Sequence, residues 1–266
     1  MLQPLQLKRI TLDWSRTYVM GVVNATPDSF SGSSPDPLAL IAAGADIVDV
    51  GGESTRPGAA WVDAAEERRR ILPVLERARG RVTLSVDTYK AEVAAAALSA
   101  GAEMVNDISG GTLDPGILGV VARAGAAYVV GHTRGTPAEM QSHAQYQDVV
   151  AEVRDELAER VARARAAGVE RILIDPGIGF AKTAEQNVAL LAGLEALKRL
   201  ELPIVVGASR KSFLGKLTGR PVDDRELATA AADTAAILRG ANVIRVHDVA
   251  VQLAAIQVAD ALRVAP

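Results

Sequence analysis

Residues 83–108 read TLSVDTYKAEVAAAALSAGAEMVNDI: a short β-branched run, an alanine-rich stretch and a second apolar run. The two ends have the length of buried strands and the middle has the 3.6-residue spacing of an amphipathic helix, so together they spell one β-α-β unit. Parallel strands need such a crossover, because a tight turn cannot return the chain to the same end of a sheet. The same alternation recurs along the chain. Apolar runs begin at Tyr18, Ile47, Thr83, Met104, Ala127, Ile172, Ile204 and Val243, at intervals of 21 to 45 residues, around the roughly 30 residues of a β-α-β unit. The runs look apolar on both faces, as fully buried parallel strands do. Eight such units in 266 residues favour a closed (β/α)8 TIM barrel of the α/β class over an open doubly wound sheet.

Working outward, the stretch LQLKRITLDWS (5–15) precedes the alternation and has a strand-like pattern around a polar middle. It is expected to form a short N-terminal hairpin or plug beneath the barrel. In the fifth helical segment Val150, Val153, Leu157 and Val161 share one face, Glu156 with Arg160 and Glu159 with Arg163 form i,i+4 pairs on another, and Gly168 can end it. Asp63 with Glu66 resembles a capping box opening the second helix. Nothing resembles an interdomain linker, so residues 1–266 are expected to make a single domain.

Composition limits the function classes. Basic residues number 29 and acidic residues 32, a balance that gives no reason to expect nucleic acid or a membrane surface as partner. The absence of cysteine excludes thiol nucleophiles and thiolate metal sites. The opening MLQPLQLKRITLDW lacks the apolar core of a signal peptide, and nowhere do 18 uncharged apolar residues run together. A cytoplasmic protein is expected.

Polar residues gather at the ends of the runs: Asn24, Asp49 with Glu53, Asp87, Asn106 with Asp107, His132, Asp175, Ser209 with Arg210 and Lys211, and Arg245 with His247. In a parallel barrel these ends meet around one mouth, where active sites form. A simpler account makes each of them a helix N-cap. It suits Thr88 and Asp248, and it fails for Lys211, Arg245 and His247, which are poor caps, and for Asn24, which leads into a loop containing Pro27.

The charges fall into two groups. Arg245 and His247 lie two apart and share a strand face, with a helix expected from Asp248, so with Arg56 of GGESTRPGA they offer a diphosphate-sized anion site. Asp87, Asp175 and Asn106 instead offer acceptors and one amide, a match for a heterocycle edge whose amino group and ring N–H point the same way. A divalent-metal site remains the alternative for the two aspartates, and magnesium could bind elsewhere through Asn24 and phosphate oxygens. His132 reads as a supporting barrel residue rather than a ligand, and His143 as a solvated loop residue.

The segments VMGVVNATPDSFS, GADIVDVGGESTRPGA, SVDTYKAEVAAAALSAGAEMVNDISGG, LIDPGIGFAKTAEQN, VGASRKSFLG and IRVHDV, running from Val19 to Val249, resemble in order the signatures of the dihydropteroate synthases. The resemblance implies a transferase of folate biosynthesis. It would condense 6-hydroxymethyl-7,8-dihydropterin pyrophosphate with p-aminobenzoate to give 7,8-dihydropteroate and pyrophosphate, with Mg2+ as cofactor, commonly as a homodimer. It matches Asn24 to a metal and pyrophosphate ligand, Arg245 and His247 to pyrophosphate ligands, and Thr55 and Arg56 to the second substrate loop. Asp87, Asn106, Asp175 and Lys211 match the pterin pocket. Pro57, Phe180, Lys211 and Ser212 match the p-aminobenzoate pocket that sulfonamide drugs imitate. Asp87, Asp175, Lys211, Arg245 and His247 are the expected catalytic residues.

The pattern also departs from the family. After SFS the family usually has Asp-Gly-Gly, whereas GSSPDP here leaves few residues for a full first helix; the family's MHMxG is GHTRGTP, and a glycine after GIGF is Ala181. Two other readings share part of the site. A pterin-binding methyltransferase would not need the pyrophosphate residues, and a non-catalytic pterin-binding paralogue would bind without turnover.

Overall fold

The computed structural model describes residues 2–25, 36–56 and 58–265. Strands β1 (Leu5–Gln6) and β2 (Thr11–Leu12) pair antiparallel as the expected hairpin. The following strands are β3 (Tyr18–Asn24), β4 (Ile47–Gly51), β5 (Thr83–Asp87), β6 (Met104–Asp107), β7 (Ala127–Gly131), β8 (Arg171–Asp175), β9 (Val205–Val206) and β10 (Val243–Val246). They form one parallel sheet in the order β8-β7-β6-β5-β4-β3-β10-β9. A parallel bridge between Ile174 and Ile204 joins its two edges, so the sheet closes into a barrel. The seam is thin because β9 is short. The run that begins at Ile204 keeps a ladder for two residues only before turning through Arg210 at φ +58°.

The covering helices are α1 (Pro37–Ala42), α2 (Ala64–Ala78), α3 (Ala91–Ser99), α4 (Gly116–Ala124), α5 (Val149–Ala166), α6 (Ala184–Ala192), α7 (Ser212–Thr218), α8 (Glu226–Leu238) and α9 (Val249–Arg263). Their starts obey local chemistry. Asp63 accepts from the Glu66 N–H to open α2, and Thr183 with Gln186 makes a reciprocal capping box for α6. The short first connection does produce a stub: α1 has six residues, with Pro37 at its first turn. Residues 26–35 of that connection lie outside the described residues.

Strand alternation sorts the core into two layers. Val48, Val50, Leu84, Val86, Val105, Tyr128, Val130, Ile172 and Ile244 point outward into the helices. Tyr18, Met20, Ile47, Met104, Ala127, Val129, Leu173, Val205 and Val243 point inward and pack with Leu5, Leu7 and Leu12 of the hairpin. A two-stranded hairpin is marginal alone. Burying a leucine stabilises by about 1.5–3 kcal/mol, so its three leucines hold it as a plug. Among the described residues no helix is long and apolar enough to cross a membrane.

The fifth helical segment departs from expectation at one point. Val153, Leu157 and Val161 are buried as the spacing predicts, but Arg160 is not on the solvent face. It is buried and donates to the carbonyls of Gly131 and Thr133 at 2.8 Å. Two carbonyls at and just after the end of β7, far away in sequence, hold it more closely than the i,i+4 partner Glu156, with which it still pairs at 3.3 Å.

Candidate active site

Two residues beyond the apolar floor, in the same strand phase, the inward positions become polar. Arg245 on β10 reaches across the barrel, donating from Nε to Asp49 Oδ2 at 2.7 Å and from Nη2 to Asp87 Oδ2 at 2.6 Å. Asn106 on β6 donates to the same Asp49 oxygen at 2.9 Å. The other carboxylate oxygens of Asp49 and Asp87 are buried with no protein partner. Asp175 at the end of β8 accepts the Gly177 N–H at 2.7 Å. Asp87, Asn106, Asp175 and Arg245 line one small cavity together with His132, Phe180 and Lys211. Of the expected site residues, Asp87, Asn106, Asp175, Phe180, Lys211 and Arg245 therefore meet in one place.

Burial sets the electrostatics. It raises the Asp87 carboxyl to about 7 although Arg245 opposes it, and it raises Asp175 against the Gly177 N–H and Lys211. Burial and Arg245 together lower Lys211 to about 8. The Lys211 ammonium also lies 3.7 Å from the centre of the Phe180 ring, a cation–π contact. Lys211 occupies the N-cap position of α7 without a capping bond, so its side chain is left to the cavity. Buried acceptors facing buried cations suit a flat heterocycle rich in N–H groups.

Residues 20–247 match the family described as pterin binding enzyme. The dihydropteroate synthase of Synechocystis is 47% identical over 97% of this chain and 95% of its own length. That of Mycobacterium leprae is 49% identical over 91% of this chain and 92% of its own. Among solved structures, a Xanthomonas albilineans dihydropteroate synthase with 4-aminobenzoic acid superposes with TM-score 0.92 at 42% identity, covering 100% of both chains. A Yersinia pestis dihydropteroate synthase with a sulfonamide drug complex superposes with TM-score 0.93 at 39% identity, covering 99% of this chain and 100% of that one.

The chain belongs to the dihydropteroate synthase family of pterin-binding enzymes.

In this family member the other described residues of the expected set are not part of the cavity wall. His247 accepts or donates at Nδ1 with Ser209 Oγ at 3.0 Å. Burial, then Arg245, Arg210, Lys211 and Arg56, push it down to about 3, which favours the neutral imidazole. Arg56 is exposed, yet close enough to weigh on both His247 and Lys211. Thr55 is half-buried on the same loop, and Ser212 is exposed at the start of α7. Pro57 lies outside the described residues. Asn24 ends β3 on the inward face. Among the described residues no cluster of three His, Asp or Glu side chains could hold a metal. A cation held at Asn24 would have to take most of its ligands from water and phosphate, as Mg2+ does.

Several strand-end residues turn elsewhere. Asp107 faces outward, accepting from Tyr128 OH at 2.7 Å and the Gly111 N–H at 2.8 Å. Arg210 pairs with Glu226 at 2.5 Å. Glu53 is buried against Lys90 and Tyr89. His143 is exposed, as expected. His132 is a supporting residue: it lines the cavity, but its ring nitrogens are engaged by Glu156 and Lys182. The sequence reading placed Asp49 in the ring without a role, and it emerges as the main anchor of Arg245.

Proposed function

We propose the following division of labour for the dihydropteroate synthase reaction in this chain. The 2-amino-4-oxo edge of the pterin lies against Asp175, Asn106 and Asp87, whose free acceptor oxygens meet its N–H donors. The p-aminobenzoate ring packs on Phe180 beside Lys211, with Ser212 at the edge of that pocket and Thr55 on the second substrate loop. Arg245, His247 and Arg56 receive the diphosphate. Mg2+, held by Asn24 and phosphate oxygens, would supply further neutralisation of the diphosphate charge.

The bond between the pterin methylene carbon and the diphosphate oxygen breaks with its electron pair going to oxygen. The amine lone pair of p-aminobenzoate then forms the new C–N bond, and the amine sheds a proton. Asp87 and Asp175 stabilise the positive charge that the pterin ring shares, while Arg245 stabilises the charge growing on oxygen. The neutral His247 serves as a hydrogen-bond donor to that oxygen. No protein nucleophile takes part.

The observation that carries this reading is the cavity in which the unpartnered Asp87 oxygen and Asp175 face Lys211 and Arg245. Its test is direct. Purified protein incubated with dihydropterin pyrophosphate, Mg2+ and p-aminobenzoate should release pyrophosphate and form dihydropteroate. Tight pterin binding without turnover would replace the enzyme with a binding paralogue.

We also read residues 1–266 as one cytoplasmic domain that pairs as a homodimer. Leu217 of α7, Leu227 of α8 and Val251, Val258 and Leu262 of α9 are large exposed apolar side chains. The three on α9 recur at seven and four residues and so share a face.

A further inference from the structure

Behind the cavity, on the β7 and β8 side, lies a buried amine that the reaction above does not use. Lys182 is 3% exposed. Its Nζ lies 3.0 Å from His132 Nδ1 and donates to the Gly177 carbonyl at 3.1 Å and the Phe180 carbonyl at 3.0 Å. Burial holds its pKa well below the usual lysine value, and even the neutral amine keeps the two N–H donors that the two carbonyls take. His132 Nε2 lies 3.0 Å from Glu156 Oε2. Glu156 is held in turn by Arg134 and Arg160.

The gripped carbonyls belong to the loop between β8 and α6, which has an unfavourable backbone. Gly177, Gly179 and Ala181 have φ of +70°, +85° and +49°, and for alanine the left-handed region is disfavoured because its Cβ crowds the next carbonyl. A Cβ on Gly177 would sit 1.8 Å from the His132 carbonyl oxygen, so the loop rests directly on the residue following β7. Such a conformation persists only where its surroundings over-determine it. The same loop shapes both organic pockets. Its Gly177 N–H orients the Asp175 carboxylate, and its Phe180 ring stacks beneath Lys211.

We propose that Lys182 is a positioning residue which, by clamping the Gly177 and Phe180 carbonyls from within, sets the Asp175 carboxylate and the Phe180 ring together. It touches neither substrate. The inference rests on the pocket assignment above, and it has a selective consequence. The diphosphate end hangs on β10 and Ser209, so loss of the clamp should spare it.

Lys182→Met keeps the aliphatic bulk and removes the N–H donors. With this variant the Kd for 6-hydroxymethylpterin by calorimetry and the KM for p-aminobenzoate should each rise about tenfold or more, while the Kd for inorganic pyrophosphate stays within about twofold. A lowered Tm with unchanged constants for all three ligands would make Lys182 a purely structural residue, and an equal loss for all three would deny the selectivity; either result overturns the clamp. Should this variant not fold, Lys182→Gln, which keeps two donors, should show the same selective rise at smaller size, and its absence is equally fatal. Wild-type protein that fails to bind the pterin would instead remove the pocket assignment itself.

Discussion

Tyr18, Met20, Ile47, Met104, Leu173 and Val243 fill the lower half of the barrel with apolar side chains, whereas two residues further along several of the same strands stand Asp49, Asn106, Asp175 and Arg245. The backbone is alike in both halves; the burial chemistry is opposite. Below, these apolar side chains gain by leaving water, and the hairpin leucines complete the seal. Above, Asp49 and Asp87 each keep a buried oxygen without a partner, which costs stability until a ligand supplies donors. The floor offsets what the rim gives up to be ready for substrate.

That contrast can be broken from either side. The largest effect is expected at the rim: Arg245→Ala removes the common partner of Asp49 and Asp87 and the proposed diphosphate ligand, and kcat/KM should fall about a thousandfold or more with the chain still folded. Steady-state kinetics beside a circular dichroism spectrum would check it, and near-normal kinetics would take Arg245 out of the site. At the floor, Leu12→Ala should do the reverse. It should destabilise by about 3 kcal/mol, or roughly 6–12 °C in Tm, with kcat/KM of the folded enzyme unchanged. A calorimetric scan with no shift would mean that the hairpin is not a plug.

The smallest effect sharpens the comparison with a buried carboxylate that has no chemistry to perform. Asp233 on α8 is fully buried, both its oxygens lack partners, and burial with Glu226 nearby raises its pKa well above 3.8. A raised carboxyl favours the folded state only while protonated, so its contribution is lost as pH climbs through the unfolded value towards the folded one. Asp233→Ala should therefore gain about 1–2 kcal/mol at pH 8 and little at pH 4. Tm values that rise equally at both pH values would show that Asp233 does not titrate on unfolding.

The fold was legible because its signal is local and repeated: each apolar run became a strand, and Asp63, Thr183 and Asp248 mark helix starts by their own side chains. Much of the rim was legible for the same reason, since residue types at strand ends do not depend on distant partners. Orientation was less so. Asn106 and Asp107 are adjacent, and only phase with the inward Met104 tells that the first enters the cavity while the second turns to Tyr128. Arg160 and Lys182 bind carbonyl groups distant or folded back on themselves, and no spacing of residue types announces a carbonyl acceptor. The lowered pKa of His247 is likewise collective, since burial acts there together with the field of Arg245, Arg210, Lys211 and Arg56.

The stopper formed by β1 and β2 has one more consequence, for traffic. A tube open at both ends can be loaded and cleared independently, but this one is a cul-de-sac, with the polar chamber above and the leucines beneath. Whatever lodges among Asp87, Asn106 and Asp175 must arrive and depart through the same doorway that its co-substrate uses. A molecule parked at that threshold can therefore delay the exit of one it never touches chemically.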